Sequence, residues 1–155
     1  MTGRVASINV SDGGVPKRAV PACRIGVFGL EGDSQNDREH HGGPERAVVL
    51  FALERIGDLR AEGHPIAPGT IGENLTLEGL DWSHLAPGTR IDVGEAQLEL
   101  TRFASPCEAI GGSFREHDFV RVSEKLHPGW SRLCAKVLRE GLVRVGDVVR
   151  LERVS

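Results

Sequence analysis

The side chains that could do chemistry in this chain are few. They are three cysteines, six histidines and a set of basic residues clustered at glycine-rich turns. Cys107 stands directly after Pro106, at the end of an alternating strand and just ahead of Gly111-Gly112. A cysteine beside a rigid turn at a strand end is placed to be presented rather than packed. Cys134 lies within an apolar run, where a free cysteine behaves as a small hydrophobe. Cys23 fits either description. A presented thiol with cationic neighbours loses its proton more readily and can then act as a nucleophile or a soft-metal ligand. The richest source of such neighbours is residues 29–48, GLEGDSQNDREHHGGPERAV, which set Asp33, Asp37, Arg38, His40, His41 and Arg46 among four glycines. Gly42-Gly43-Pro44 excludes a helix interior, because proline lacks a donor and glycine costs backbone entropy. A loop of this length inside a small domain is functional or disordered. The apolar run Ala47-Val48-Val49-Leu50-Phe51 that follows must be buried, which favours an ordered loop presenting His41, Arg38 and backbone N–H groups. Lys17 follows the turn Gly13-Gly14-Val15-Pro16, and Glu73 and Asn74 follow Gly72. Each has a plain alternative: a solvated loop for His41 and Arg38, a solvated lysine for Lys17, and local turn chemistry for Glu73 and Asn74. Spacing alone does not bring Cys107 to His41.

The elements that must position these groups are short. Residues 4–10 alternate and read as a strand, with Val5, Ser7 and Asn9 on one side and Ala6, Ile8 and Val10 on the other. Residues 19–28 read as a second, weaker strand that delivers the chain to the polar loop. Residues 46–51 read as a buried strand and residues 52–62 as one amphipathic helix, with Leu53, Ile56 and Leu59 at helical spacing ahead of Gly63. Residues 75–77 give another brief strand. Residues 90–93 and 96–102 alternate around Gly94-Glu95, the clearest hairpin signal in the chain. Residues 118–126 predict a short helix and residues 130–139 a strand. Residues 143–145 and 148–152, around Gly146-Asp147, predict a closing strand-turn-strand. Many short strands, frequent Gly and Pro turns and two or three short helices predict a mostly β, barrel-like fold rather than a parallel α/β sheet.

At 155 residues the chain suits one domain spanning 1–155, with no repeat, low-complexity segment or linker to divide it. A formal net charge of −3, with both signs mixed, gives no basic face for nucleic acid or a membrane surface. No apolar run approaches the length of a bilayer span. The N-terminus lacks the apolar core of a signal peptide, and three cysteines form no paired framework, so reduced thiols and a cytoplasmic location are expected.

Six short motifs occur in order: Lys17 after its Gly-Gly-Val-Pro turn, Gly29-Leu30-Glu31-Gly32-Asp33, His41-Gly42-Gly43-Pro44, Gly72-Glu73-Asn74-Leu75, Ser105-Pro106-Cys107 and Gly146-Asp147. In this order and at this spacing the chain resembles the MOSC domain family, named after the C-terminal domain of molybdenum cofactor sulfurase. The resemblance covers nearly the whole chain. It implies a β-rich barrel-like fold, binding of the molybdenum–molybdopterin cofactor, and an essential cysteine. That cysteine ligates the metal in reductase members and is thought to carry persulfide sulfur in the sulfurase branch. Carried over by motif, it is Cys107, and of the two adjacent histidines the motif falls on His41. The implied cofactor-binding set is Lys17, Asp33, Arg38, His41, Gly42, Gly43, Glu73 and Asn74. Many relatives carry an arginine two or three residues before the Pro-Cys step. Here that place holds Phe103-Ala104, and Arg102 is the replacement.

These residue types suit the implied ligand. Molybdenum in a dithiolene site accepts another soft thiolate. A terminal phosphate needs Lys or Arg and free N–H groups, for which Lys17, Arg38 and the Gly42-Gly43 backbone are candidates. Glu73 and Asn74 have groups for a pterin edge. The aminotransferase-like domain that binds pyridoxal phosphate in full-length sulfurases is not in this sequence, so pyridoxal phosphate is not expected. Nor is a flavin or iron–sulfur domain, so a separate electron-donor or sulfur-donor protein is expected beside the small-molecule substrate. Three functions follow. They are a molybdenum-dependent reductase of N-hydroxylated substrates, a non-enzymatic carrier of cofactor or of sulfur on Cys107, and a Cys107–His41 thiol hydrolase or transferase.

Overall fold

The hairpin predicted from alternation at residues 90–102 is the centre of a closed β-barrel. A computed structural model describes residues 2–34 and 43–152. In chain order its elements are β1 (Thr2–Val10), β2 (Arg18–Val20), β3 (Ala22–Gly26), β4 (Gly29–Leu30), β5 (Val48–Ala52) and α1 (Leu53–Ala61). They continue with β6 (Leu75–Glu78), β7 (Arg90–Val93), β8 (Ala96–Phe103), β9 (Leu133–Arg139), β10 (Gly141–Arg144) and β11 (Val148–Leu151). The strand order β11-β7-β8-β9-β5-β6-β1 closes on itself through β1–β11, with β2 attached outside on β1. Every barrel pairing is antiparallel except β5–β6, which is parallel and is bridged by α1. Strands β10, β3 and β4 form a separate small sheet. Closure removes the open edges that would otherwise offer unpaired backbone groups to other chains. Val5, Ile8, Leu50, Leu77, Ile91, Leu98 and Val149 fill the interior.

Helix α1 forms where predicted, one residue shorter at each end, and buries Ile56 and Leu59. Among the described residues the other helical pieces are 3₁₀ turns. The helix predicted over residues 118–126 is one of these, at Phe119–Val122, because Ser123 turns extended and ends it. The strand predicted over residues 130–139 begins only at Leu133, and residues 44–46 are a 3₁₀ turn ahead of β5.

Three further departures have clear causes. The strand predicted over residues 19–28 is broken at Pro21, which has no N–H for a ladder, so β2 joins the barrel and β3 the small sheet. The predicted closing hairpin is split in the same way: β10 pairs with β3, whereas β11 pairs with β7 and β1. In β1 a bulge between Val5 and Ser7 inserts Ala6, so Val5 and Ile8 both face the core instead of opposite sides. A second bulge, between Leu100 and Arg102, inserts Thr101 into β8. Leu98 and Leu100 point inward, and strict alternation would send Arg102 after them. The bulge instead releases Arg102 to the barrel rim, where the site lies.

No helix among the described residues is long and apolar enough to cross a membrane.

Candidate functional site

The rim beside β8 and β9 opens onto a cavity of about 600 Å³, lined by both polar and apolar groups. Its size falls within the range of small-molecule sites, roughly 300–1,000 Å³. Cys107 lines it, half-buried, at the junction between the extended segment after β8 and a 3₁₀ turn at Glu108–Ser113. The Cys107 carbonyl accepts a hydrogen bond from the Ile110 amide at 3.1 Å, closing that turn. The segment is tied to the start of β9 by the Ala104 amide, which donates to the Arg132 carbonyl at 2.9 Å. The cysteine is therefore presented from a fixed backbone.

Lys17 also lines the cavity. Its ammonium donates to Asp33 Oδ1 at 2.6 Å, and both side chains are nearly buried, at 7% and 5% exposed. Asp33 also accepts from the Ser11 amide at 2.9 Å and from Asn74 Nδ2 at 3.0 Å. Asp33 thus holds Lys17 in place and offsets its charge. Further positive charge comes from Arg46, Arg102 and Arg132, all on the cavity wall. Arg132 is 8% exposed. It donates from Nη1 to the Ile71 carbonyl at 2.9 Å and from Nη2 to the Ser105 carbonyl at 3.3 Å. Its Nε is buried with no partner among the described residues. An orphaned guanidinium N–H is costly unless a ligand or water satisfies it. Burial lowers the Arg132 pKa, while Cys134, Glu73 and Cys107 counter that by favouring the charged form.

Cys134 shares the wall. It is buried, as the apolar run implied, yet it lies beneath the same cavity. Burial raises its pKa, and Arg132, Arg46 and Arg102 partly offset this. Cys23 belongs to the small sheet: it is buried, its thiol donates to the Glu31 carbonyl at 3.2 Å, and burial raises its pKa. Val15, Val49, Ile71, Phe103 and Ile110 supply the apolar part of the cavity. Phe103 and Ala104 line the cavity, and so does the neighbouring Arg102.

Lys17 thus meets Arg102 and Cys107, far from it in sequence, at one cavity. Glu73 and Asn74 do not reach it. Both are wholly buried and their side chains are bonded internally, so the expected contact with a ligand edge is replaced by a place behind the wall. Asn74 Oδ1 accepts from the Val49 amide at 2.9 Å, and Glu73 accepts from Gly69 and Thr76. Gly43 is exposed ahead of the 3₁₀ turn at Pro44–Arg46 and does not line the cavity. The expectations for Arg38, His41 and Gly42 fall outside the described residues. Sequence reasoning missed Arg132 and the cavity role of Arg46. A lone arginine inside a run otherwise read as core was the available signal for Arg132, because arginine is almost never buried without a partner.

A closed seven-stranded barrel with a half-buried thiol and several cationic side chains at one rim cavity defines a small β-barrel domain with a cationic, cysteine-lined cavity at its rim. The chain belongs to the MOSC domain family, whose sequence model matches residues 37–150. It is 29% identical over 140 residues to YflK of Bacillus subtilis, covering 89% of this chain and 62% of that protein. The structure is similar to that of YiiM from Escherichia coli, with a TM-score of 0.75 and 25% identity, covering all of this chain and 72% of the other. In sequence it is 28% identical to YiiM over 140 residues, or 83% of this chain and 62% of YiiM. The chain thus spans 62% of the length of these two relatives. It is also 29% identical over 132 residues to a Gibberella moniliformis protein described as a reductase, covering 81% of this chain but 22% of that protein.

Proposed function

We propose that this chain binds the molybdenum–molybdopterin cofactor in the rim cavity and acts as an oxidoreductase on N-hydroxylated substrates, with electrons from a separate protein. The observation that carries the reading is the buried Arg132, with an unpartnered Nε, on the same wall as Cys107. The residues present fit the group. A phosphate dianion calls for charge-assisted donors, and Arg132, Arg46, Arg102 and Lys17 supply them. A soft metal calls for a thiolate, and Cys107 supplies it where the backbone is fixed. Val49, Ile71, Phe103 and Ile110 give the cavity an apolar wall, beside which charge interactions are screened less than in open water. When bound, the cofactor supplies two-electron redox chemistry at molybdenum. The similarity to a protein described as a reductase supports the direction of that chemistry. The test is a reductase assay of protein produced in a molybdenum-replete, cofactor-competent host, using an N-hydroxylated base and a reduced electron donor. Turnover to the amine that is lost in Cys107→Ser is expected. Bound cofactor without turnover would refute the oxidoreductase assignment.

One observation favours a second reading, a carrier of cofactor or of sulfur on Cys107. Among the described residues, the cavity wall has no carboxylate or imidazole to manage protons for a reaction. Bound cofactor that passes intact to an acceptor protein, without reductase turnover, is the outcome this reading expects. The same feature leaves the hydrolase reading without a described base.

A further inference from the structure

Glu73 is wholly buried behind the cavity, and both of its carboxylate oxygens are in use. Oε1 accepts from the Gly69 amide at 3.0 Å, and Oε2 accepts from Thr76 Oγ1 at 3.1 Å. Asn9 Nδ2 donates to the Glu73 carbonyl at 3.2 Å and to Thr76 Oγ1 at 3.1 Å. The Gly69 amide opens a turn, closed by the Gly72 amide donating to the Gly69 carbonyl at 3.2 Å. That turn meets the cavity from two directions. The Gly69 carbonyl also accepts from the Lys17 amide at 2.9 Å, and the Ile71 carbonyl accepts from Arg132 Nη1 at 2.9 Å. At Gly69 the backbone is left-handed, with φ of 84°, and a Cβ would stand 2.6 Å from the Lys17 carbonyl oxygen. The turn and the Lys17 segment therefore dock backbone against backbone. The Glu73 carboxylate behind the wall, with Thr70 bonded to Ala67 and Ser113 bonded to the Thr70 carbonyl, holds the turn to which two cavity cations are attached.

Charge links the same groups. The charged neighbour acting on Glu73 is Arg132. The groups facing it from β1, β6 and the turn, namely Asn9, Thr76 and the Gly69 amide, are neutral. Burial pushes the Glu73 carboxyl up to about 7, against the opposing pull of its hydrogen bonds and of Arg132.

We infer that Glu73 is a positioning residue for anion binding: it holds the turn that seats Lys17 and Arg132, and its negative charge competes with a bound anion for Arg132. Anion binding and protonation of Glu73 are therefore coupled. By linkage, each favours the other by the same factor. The inference rests on the reading that the cavity receives an anionic group.

Sulfate tests it, because it keeps its charge from pH 6 to pH 8. Calorimetry of wild type should show sulfate binding about three- to tenfold tighter at pH 6 than at pH 8, a coupling of ordinary size. Glu73→Gln should bind at pH 8 as wild type does at pH 6, with the pH dependence reduced by about threefold or more. Titrations of wild type at pH 7 in two buffers of different ionisation enthalpy should show net proton uptake, a readout that does not depend on the variant folding. A purely structural Glu73 would lower the stability of Glu73→Gln but leave the pH slope unchanged, and that result overturns the inference. Sulfate binding without proton uptake overturns it as well, while sparing the anion reading. No sulfate binding by wild type at either pH overturns both.

Discussion

Substituting Glu73 with Gln offers a quantitative test of how the barrel tolerates a buried carboxyl. The wild-type carboxyl, ordinarily near 4.5, is pushed up to about 7 by burial. At about 1.4 kcal/mol per tenfold change in proton affinity, its ionised form is disfavoured by about 3 kcal/mol in the folded chain relative to the unfolded one. The sign follows from which state holds the proton more tightly. The folded chain does, so the stabilising contribution is complete below pH 4.5 and is lost as pH rises through 7. Between pH 5 and pH 8 the expected loss is about 2.5 kcal/mol. Gln keeps an acceptor for the Gly69 amide and cannot ionise. Urea unfolding of both proteins across this range should show wild type falling by about 2.5 kcal/mol relative to Glu73→Gln. Parallel stability curves would show that Glu73 titrates as an ordinary carboxyl and would refute the reasoning.

Cys107→Ser should leave the unfolding free energy from urea titration within about 0.5 kcal/mol of wild type, since the half-buried thiol contributes little packing, while abolishing activity of the cofactor-loaded protein. Cys134→Ser puts a hydroxyl into a buried site and should cost about 1–3 kcal/mol of stability in the same unfolding assay. Lys17→Ala leaves Asp33 with the Ser11 amide and Asn74 but without its cation, so a loss of about 2–4 kcal/mol in thermal or urea unfolding is expected. Gly69→Ala forces a Cβ against the Lys17 carbonyl in left-handed backbone. It should cost about 1–3 kcal/mol and weaken sulfate binding in a titration.

The parts of the fold that were legible in the sequence are those fixed by local alternation. The β7–β8 hairpin follows from apolar residues at every second position around Gly94, and α1 follows from Leu53, Ile56 and Leu59. The parts that were not legible depend on partners distant in sequence. Nothing near Gly146 says that β10 will pair with β3 while β11 closes the barrel against β1. The bulges at Ala6 and Thr101 are set by the register each strand must keep with its neighbours, and the second decides that Arg102 reaches the cavity. At the candidate site, Cys107 and Lys17 were legible because proline and glycine turns mark them. Arg132 and Glu73 were harder. A glutamate after a glycine reads as turn chemistry until Thr76 and the Gly69 amide are seen to enclose it. Arg132 stands outside any motif, and its importance appears only when the carbonyls of Ile71 and Ser105 converge on it.

The most direct measurement is the molybdenum and pterin content of the purified chain from a molybdenum-replete, cofactor-competent host, with Cys107→Ser prepared in parallel. Binding in the rim cavity through Cys107 predicts molybdenum and pterin together at close to one per wild-type chain, with molybdenum strongly reduced in the variant. Wild-type protein free of pterin, or a Cys107→Ser variant fully loaded with molybdenum, would contradict it.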